Sequence, residues 1–564
     1  MNTTWHLQGI DQGGANFTGQ VLGLGLADFL TGNVSTWSQS NPVHHDNAQW
    51  FYANYATDTW KATQTLTLNY GIRWEPFFPV EWSDGTAYLL DLNAWRKGIK
   101  TPKFTNAPAG LFFPGDPGVN DRSAQVVQWK SFSPRVGLAW DVKGDGRTSV
   151  RAAYGLFYDF TPMAMQIGTN NAPPYQPRIS ISNVRLDDPW AAYPGGNPFP
   201  VSTASDALFP AYGPYAIIRP DLKPSQISQW NLSIQRQVGT DWLVSASYLG
   251  SHTAHMWSLA QRNSAVFLGL GPCTLAGVQY ATCSTPQNQD ARRLLSLENP
   301  AASRAFGPVN EVDDGAGASY NGLVMSLQRR ATRGISLAAN YTWSHCIADS
   351  FTALINGGTA NGGYSKPNDR RFDRGNCSVS AVDRRHLFGL SGVFESPTFS
   401  NSMVQKLAGG WKLSPILSIR TGTFMTVTTN TDVALNAIGN QRLNQVLANV
   451  YGDKTVGNYL NPAAFAVPAA GTIGNMGGAN IQGPGWWTLN VALSRSVKVG
   501  ESQRVEFRAE AFNLTNSVRL PNPTTNYSMN TFGQIVNPGS TGFSSTVSSV
   551  SDPRLMQFAL KYVF

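Results

Sequence analysis

The chain ends in the run Pro553-Arg554-Leu555-Met556-Gln557-Phe558-Ala559-Leu560-Lys561-Tyr562-Val563-Phe564. Taken in twos from the last residue, its side chains form two sets, and the set that contains Phe564 also holds Met556, Phe558, Leu560 and Tyr562. Because successive side chains of a strand point to opposite faces, this alternation predicts a β-strand with one wholly apolar face.

The run that precedes it upstream has the same period. Its charged set is Arg504, Glu506, Arg508 and Glu510, and its apolar set is Val505, Phe507, Ala509 and Ala511. A soluble antiparallel sheet with one wet face would show the same alternation. Other features of the chain must therefore identify the solvent on the apolar side.

Composition favours an all-β fold. Charged residues make up 13% of the 564 residues, against about 25% in a typical soluble protein, while glycine (54) and aromatic residues (11%) are abundant. This mixture suits many strands joined by polar, glycine-rich loops. No apolar run approaches the roughly 18 residues of a membrane helix, which argues against a helical membrane protein.

Six hairpins are predicted where alternating runs flank a turn. Their paired runs are 48–60 with 66–75, 135–141 with 149–160, 230–234 with 242–248, 323–327 with 335–343, 385–395 with 411–428, and 486–498 with 503–513. The terminal strand and two further runs, 34–40 and 2–10, raise the prediction to 14 or 15 strands. Many are longer than soluble strands and match the length of a tilted membrane-spanning strand.

The connections between these strands alternate strictly between short and long. The long connections lie near 77–131, 161–225, 258–318, 346–383, 429–484 and 517–552. A soluble sandwich gives no reason for placing every long loop at one end, whereas a membrane barrel has short periplasmic turns and long extracellular loops. We therefore predict an antiparallel transmembrane β-barrel with Phe564 at the periplasmic end.

The sidedness of the strands predicts a girdle and a wet lumen. Tryptophan and tyrosine near strand ends suit interfacial girdles, and the set is Trp60, Trp74, Tyr248, Trp257, Trp343, Trp411, Trp486 and Trp487. Polar residues of mixed sign are expected to face inward, and the set is Arg73, Glu75, Arg135, Asp141, Asn231, Gln235, Asn340, Arg504, Glu506, Arg508 and Glu510.

Four cysteines form two local pairs, Cys273 with Cys283 and Cys346 with Cys377. Four cysteines allow three connectivities, but both local pairs lie in predicted loops, where disulfides would clip the surface. Unpaired thiols and a metal site are the alternatives, and the spacing of a typical zinc site is absent. We predict disulfides.

Basic residues cluster in and beside the loop between Cys346 and Cys377. They are Arg370, Arg371, Arg374, Arg384 and Arg385. Such a cluster can meet an anionic ligand or a lipopolysaccharide phosphate. The alternative, which we favour, is that these arginines form a network of salt bridges with the nearby Asp369, Asp373 and Asp383.

No motif of a catalytic, nucleotide or metal site is present, so we expect no enzyme, cofactor or metal. The net charge of +8 is spread along the chain, and no nucleic-acid partner is expected. The amino terminus lacks a basic region followed by an apolar core, so this sequence shows no secretory signal.

Seven segments resemble the carboxyl-terminal part of TonB-dependent outer-membrane receptors, most closely the Oar-like branch. They are GLADFLTG (25–32), YATDTWKAT (55–63), LTLNYGIRWE (66–75), FSPRVG (132–137), YTWSH (341–345), DRRH (383–386) and FRAEAFNLTN (507–516). Each segment is weak alone, but their order and spacing span nearly the whole chain.

The resemblance implies the barrel of such a receptor, in the bacterial outer membrane with its lipid and lipopolysaccharide. Family members have a signal peptide, a plug domain and 22 strands, so residues 1–564 are expected to be an incomplete barrel without plug or signal peptide. The implied function is energised uptake of a bulky nutrient: a siderophore, an oligosaccharide or a peptide. TonB would act only through a plug that this sequence lacks.

A surface adhesion protein anchored by a barrel, or a passive pore, are the alternative functions. The terminal strand also resembles the signal that the barrel assembly machinery recognises. The residues of that signal would be Phe558, Leu560, Tyr562 and Phe564.

Overall fold

A computed structural model gives the structure of most of the chain. It describes residues 2–9, 13–17, 21–22, 24–41, 43–82, 85–120, 122–159, 172–176, 178–193, 195–349, 363–377, 383–429, 431–439, 441–500, 503–536 and 553–564. Helix is scarce among them: α1 Gly25–Leu30, α2 Leu92–Arg96, α3 Leu294–Glu298 and α4 Ser402–Ala408, with 3₁₀ turns at Asp290–Arg292, Arg370–Asp373 and Pro462–Ala464. Within these ranges, every helix is too short or too polar to cross a membrane.

One antiparallel sheet dominates the molecule. Of its fifteen strands, all but two follow a single path in which each strand pairs with its neighbours in sequence. The path is β1 Asn54–Lys61, β2 Leu66–Trp74, β3 Phe132–Asp141, β4 Thr148–Asp159, β5 Ser225–Val238, β6 Trp242–Gln261, β7 Phe306–Thr332, β8 Ile335–Ala348, β9 His386–Glu395, β10 Trp411–Arg420, β11 Trp486–Lys498, β12 Arg504–Phe512 and β13 Leu555–Val563. Of the other two strands, Gly213–Ile218 pairs in parallel with β7, and Gly375–Asn376 pairs antiparallel with β8.

The register of the sheet brings like residues into rows. One row of directly paired residues across β2 to β8 is Leu68, Leu138, Ala152, Leu232, Tyr248, Leu323 and Trp343. The adjacent row, on the opposite face, is Thr67, Ala139, Arg151, Ser233, Ser247, Val324 and Thr342. At the other end, Phe558 pairs with Ala509 and Leu560 with Phe507, which continues the apolar face to the last strand. The sheet therefore has one apolar face and one largely polar face.

Within the part of the chain that the structure describes, the apolar face is not covered by protein. Leu560 is 75% exposed, Phe558 64% and Trp343 53%. A contiguous apolar surface of this extent is not tolerated in water, whereas lipid satisfies it. The sheet is therefore the wall of a membrane barrel, with its polar face toward the lumen.

Connections at the two ends of the strands differ as predicted. Short turns at 62–65, 142–147, 239–241, 333–334, 396–410 and 499–503 lie at one end. The other end carries six long loops, named here L1 (75–131), L2 (160–224), L3 (262–305), L4 (349–385), L5 (421–485) and L6 (513–554). β6 and β7, with 20 and 27 residues, extend beyond the roughly 9–11 residues that cross a bilayer and reach into the loops.

Two predicted strands form but lie outside the large sheet. Asn2–Gly9 pairs with Val43–Trp50, and Asn33–Ser40 pairs with Arg178–Arg185 of L2. The run 48–60 is consequently divided, and only Asn54–Lys61 pairs with β2. Alternation predicted that these residues are strands but could not identify their partners.

The remaining strands are short and lie among the loops or beside the first strands. They are Gly14–Asn16, Glu81–Trp82, Leu89–Leu90, Leu111–Phe112, Cys273–Leu275, Val278–Tyr280, Phe424–Met425, Thr428–Thr429, Gln441–Arg442, Asn444–Gln445, Phe465–Ala466 and Ile481–Gln482. Among the described residues, no strand pairs with the outer edge of β1 or of β13.

Candidate ligand-binding site

The buried core of the molecule lies in its loops, not in the sheet. One apolar cluster joins L1, L2 and L3 through residues such as Trp95, Tyr215 and Leu295. A second cluster joins L5 and L6 through Leu460 and Phe532. The described residues of these loops therefore pack as a layer at one end of the sheet, which we call the loop platform (L1–L6).

Buried arginines lock the platform together. Arg292 is fully buried and donates to the carbonyl oxygens of Val266, Thr285 and Leu435 at 2.6–2.8 Å, which joins L3 to L5. Arg442 of L5 donates to Phe372 O at 2.9 Å and pairs with Asp373 at 3.2 Å, which joins L5 to L4. Burial lowers the pKa of Arg442, and several acceptors are needed to hold such a cation away from water.

The cysteines are joined within each of the two local pairs. Cys273 and Cys283 are bonded across the hairpin Cys273–Tyr280 of L3, with their Cα atoms 5.1 Å apart. Cys346 at the end of β8 is bonded to Cys377 of L4, with a Cα separation of 5.4 Å. The oxidation state of these cysteines in the cell stays a prediction.

A cavity of about 570 Å³ lies where L2 and L4 meet the extended ends of β6 and β7. Its wall is Arg219, Asp221, Lys223, His252, Thr253, Ala254, His255, Asp314, Gly315, Ala316, Gly317, Asp349, Arg370, Arg371 and Arg374. Five arginines and lysines thus face three aspartates. We call this space the basic cavity.

Three of the five cations are held by carboxylates. Arg370 contacts Asp313, which is fully buried behind the wall, through Nε at 2.7 Å and Nη2 at 2.5 Å. Arg374 pairs with Asp349 at 2.9 Å, and Arg219 pairs with Asp314 at 2.9 Å. The hydrogen bond to Asp313 raises the pKa of Arg370, so this guanidinium is fixed in place and charged.

The other two cations are unengaged. Within the part of the chain that the structure describes, the side chains of Lys223 and Arg371 make no ion pair or hydrogen bond, and both residues are exposed. The cavity therefore has excess positive charge that no carboxylate of its wall neutralises.

The favoured salt-bridge hypothesis is correct for some arginines but wrong about their partners. Arg370 pairs with Asp313 of β7 and Arg374 pairs with Asp349. In the described part of the chain, neither pairs with Asp369, Asp373 or Asp383. Asp373 pairs with Arg442. Asp383 is buried without an ion pair among the described residues, and burial raises its pKa. Partners 57 residues away in sequence could not be found from local spacing.

Arg384 and Arg385 donate hydrogen bonds to neutral groups and are not part of the wall of the basic cavity. Arg384 donates to Thr421 O at 2.6 Å. Arg385 donates to Ser344 O and to Asn376 Oδ1, both at 3.0 Å. The DRRH segment thus ties the start of β9 to its surroundings.

The lumenal face carries a second concave region, of about 690 Å³. Its floor is made of small residues, among them Gly71, Gly137 and Gly155, and the Arg135 guanidinium lies over the Phe157 ring at 4.5 Å. Nearby inward charges neutralise each other, as in the pair of Arg73 with Glu75 at 2.7 Å. This part of the lumenal wall therefore combines small residues with an arginine that lies over an aromatic ring.

The tryptophan girdle is only partly as predicted. Trp60, Trp343 and Trp487 are exposed on the apolar face. Trp257, in contrast, is 5% exposed in a cluster under the loops, because β6 continues beyond the membrane. Trp486 lies on the lumenal face, between Arg420 and Arg519.

The predicted assembly residues lie together on β13. Phe558, Leu560 and Tyr562 share its apolar face, and Phe564 follows at 89% exposure. Among the described residues, no group of histidine, cysteine and carboxylate side chains could hold a metal ion.

A two-faced meander with an apolar exterior, a polar interior and all long loops at one end defines a β-barrel protein of the bacterial outer membrane. Residues 1–557 match the family described as "Outer membrane beta barrel domain", and the chain belongs to that family. No curated protein matches the sequence.

Solved structures of outer-membrane receptors are similar to this chain. The ferripyoverdine receptor of Pseudomonas aeruginosa aligns with 93% of this chain and 39% of its own, at 10% identity and a TM-score of 0.38. The ferric-catecholate import receptor Fiu from Escherichia coli K12 aligns with 94% and 50%, at 12% identity and a TM-score of 0.37. The copper transporter OprC aligns with 94% and 53%, at 10% identity and a TM-score of 0.38. The chain thus spans about half the length of these structures or less.

Proposed function

We propose that the chain is the barrel of an Oar-like TonB-dependent receptor that takes up a bulky nutrient: a siderophore, an oligosaccharide or a peptide. One observation carries the proposal: an interlocked loop platform with an open, charged cavity stands over a polar lumenal wall. A barrel that served only as an anchor would need neither a cavity at the base of its loops nor a concave lumenal wall. Energised opening would require a plug domain linked to TonB inside the lumen.

The test compares uptake and attachment in cells that make the full-length protein. Strains with the gene intact, with the gene deleted and with TonB inactivated are grown on siderophore-bound iron, an oligosaccharide mixture or a peptide mixture as the limiting nutrient. We expect one nutrient whose uptake is lost equally in the deletion strain and in the TonB strain. Uptake that persists without TonB would indicate a passive pore. Loss of surface attachment with every uptake rate unchanged would support the adhesion function instead.

A further inference from the structure

We propose that the basic cavity binds a ligand that carries phosphate or carboxylate groups, with Lys223 and Arg371 as its free positive charges. The inference deepens the proposed function by naming the chemical class of its ligand, and it rests on that function for what happens to the ligand after binding. Binding itself depends only on the wall of the cavity.

The wall of the basic cavity carries positive charges with which none of its carboxylates pairs. The three aspartates of the wall and Asp313 behind it are all engaged by Arg219, Arg370 and Arg374. Lys223 of L2 and Arg371 of L4 enter the same space from two different loops. An anion between them would meet two cations that need not leave another partner first, so binding would not cost an existing salt bridge.

The paired arginines retain donors for such an anion. A guanidinium has five N–H groups, and the contacts of Arg370 with Asp313 use only its Nε and Nη2. Arg374 uses Nη1 toward Asp349. Planar guanidiniums held by carboxylates on one side are suited to receive phosphate or carboxylate oxygens on the other.

The backbone of the wall is shaped around the cavity. The pairing of β6 with β7 is interrupted between Thr253 and Met256, and His255 in that bulge has a φ of 57°. A residue without a glycine's freedom is rarely found there, and such bulges turn side chains away from the regular pleat. The bulge brings both His252 and His255 to the cavity wall.

The size of the cavity limits the ligand. Its volume of about 570 Å³ lies within the range of about 300–1,000 Å³ of small-molecule sites. A single inorganic phosphate would leave most of the space empty, so we expect a ligand with two or more anionic groups. A lipopolysaccharide phosphate region and a soluble polyanionic nutrient share this chemistry.

The binding test uses the purified full-length protein in detergent, with inorganic pyrophosphate as the probe and titration calorimetry as the measurement. The test variant is Lys223→Gln with Arg371→Gln, both exposed and unpaired, so that folding is not at risk. The matched control is Lys97→Gln with Lys100→Gln, which removes two exposed positive charges from L1. Heat-modifiable migration on gels verifies that all three proteins are folded.

We expect the wild type and the control to bind pyrophosphate alike, and the test variant to bind about tenfold more weakly or not at all. High salt should weaken the wild-type binding, because exposed charges are screened. Absence of binding to the wild type, or equal affinities of the test variant and the wild type, would overturn the inference.

The source of the ligand is resolved by measuring lipopolysaccharide that copurifies with each protein. A smaller amount on the test variant than on the control supports the site with the lipid phosphate as its occupant. Equal amounts together with weakened pyrophosphate binding support a soluble anion. The two proposals can fail separately. Absence of pyrophosphate binding would not decide between uptake, a passive pore and adhesion. TonB-independent uptake with intact pyrophosphate binding would contradict only the proposed function.

Discussion

At the scale of single residues, the platform depends on contacts between charges that are distant in sequence. Arg370 and Asp313 illustrate this, because the carboxylate is fully buried on strand β7 while the arginine comes from L4. Local sequence identified Arg370 as part of a basic cluster but gave no sign that Asp313 lies beneath it. Sequence reasoning finds such clusters more readily than it finds partners.

Gly315 provides a conservative test of the contact between Arg370 and Asp313. A Cβ atom at this position would collide with the Arg370 guanidinium, although the backbone conformation of Gly315 is open to other residues. We expect Gly315→Ala to displace the Arg370 guanidinium, so that Asp313 loses two charged hydrogen bonds and, among the described residues, keeps only Arg262, at 3.9 Å, as a cation. The expected cost is about 1.5–3 kcal/mol. The measurement is thermal unfolding of the loops, and Gly14→Ala, where a Cβ meets nothing, is the control. Equal stability of the two variants would contradict this account.

Asp383 predicts a dependence of loop stability on pH. Burial raises its pKa, so the folded protein holds the proton more tightly than the unfolded chain. Its contribution is therefore favourable at acidic pH and is lost as the pH rises from the usual aspartate range, about 3.9, through the raised value. We expect Asp383→Asn to remove this loss when loop unfolding is followed across that range. The control is Asp187→Asn, whose side chain is 75% exposed.

At the scale of elements, two-residue alternation was sufficient to predict a strand where one of its faces is polar and the other is apolar. Thirteen strands of the sheet path and the alternation of their connections follow from the sequence in this way. It was not sufficient for Asn33–Ser40, which also forms a strand but packs against Arg178–Arg185. Alternation encodes faces, whereas the partner depends on contacts across more than a hundred residues.

The terminal strand β13 offers an internal control for its proposed role in assembly. Phe558→Lys and Tyr562→Lys place charge on the apolar face, at about 2–4 kcal/mol each near the bilayer midplane and less near the interface. We expect these substitutions, and deletion of Phe564, to prevent outer-membrane assembly. Gln557→Lys adds the same side chain to the lumenal face of the same strand and should be tolerated. Heat-modifiable protein at the cell surface is the measurement, and normal levels of the first two variants would refute the role.

At the scale of the whole molecule, the chain combines two kinds of folding. The sheet is stabilised by hydrogen bonds between neighbouring strands and by lipid on its apolar face. The platform resembles a soluble domain, because it buries its own apolar clusters and closes polar contacts inside them. Composition and the spacing of the strands predicted long loops. The packing of these loops was not predicted, because it arises from contacts between side chains of different loops.

This division predicts that the platform and the sheet lose structure separately. Arg292 holds carbonyl groups of L3 and L5, and Arg442 holds L4 against L5. Arg292→Met with Arg442→Met would leave these buried acceptors without donors, at about 1–3 kcal/mol for each unsatisfied group. We expect two transitions on heating in detergent, with only the lower one shifted by the substitutions, since no strand of the sheet path depends on either arginine. Protease resistance of the loops reports the first transition and heat-modifiable migration reports the second. A single transition that moves as a whole would show instead that the platform and the sheet fold as one unit.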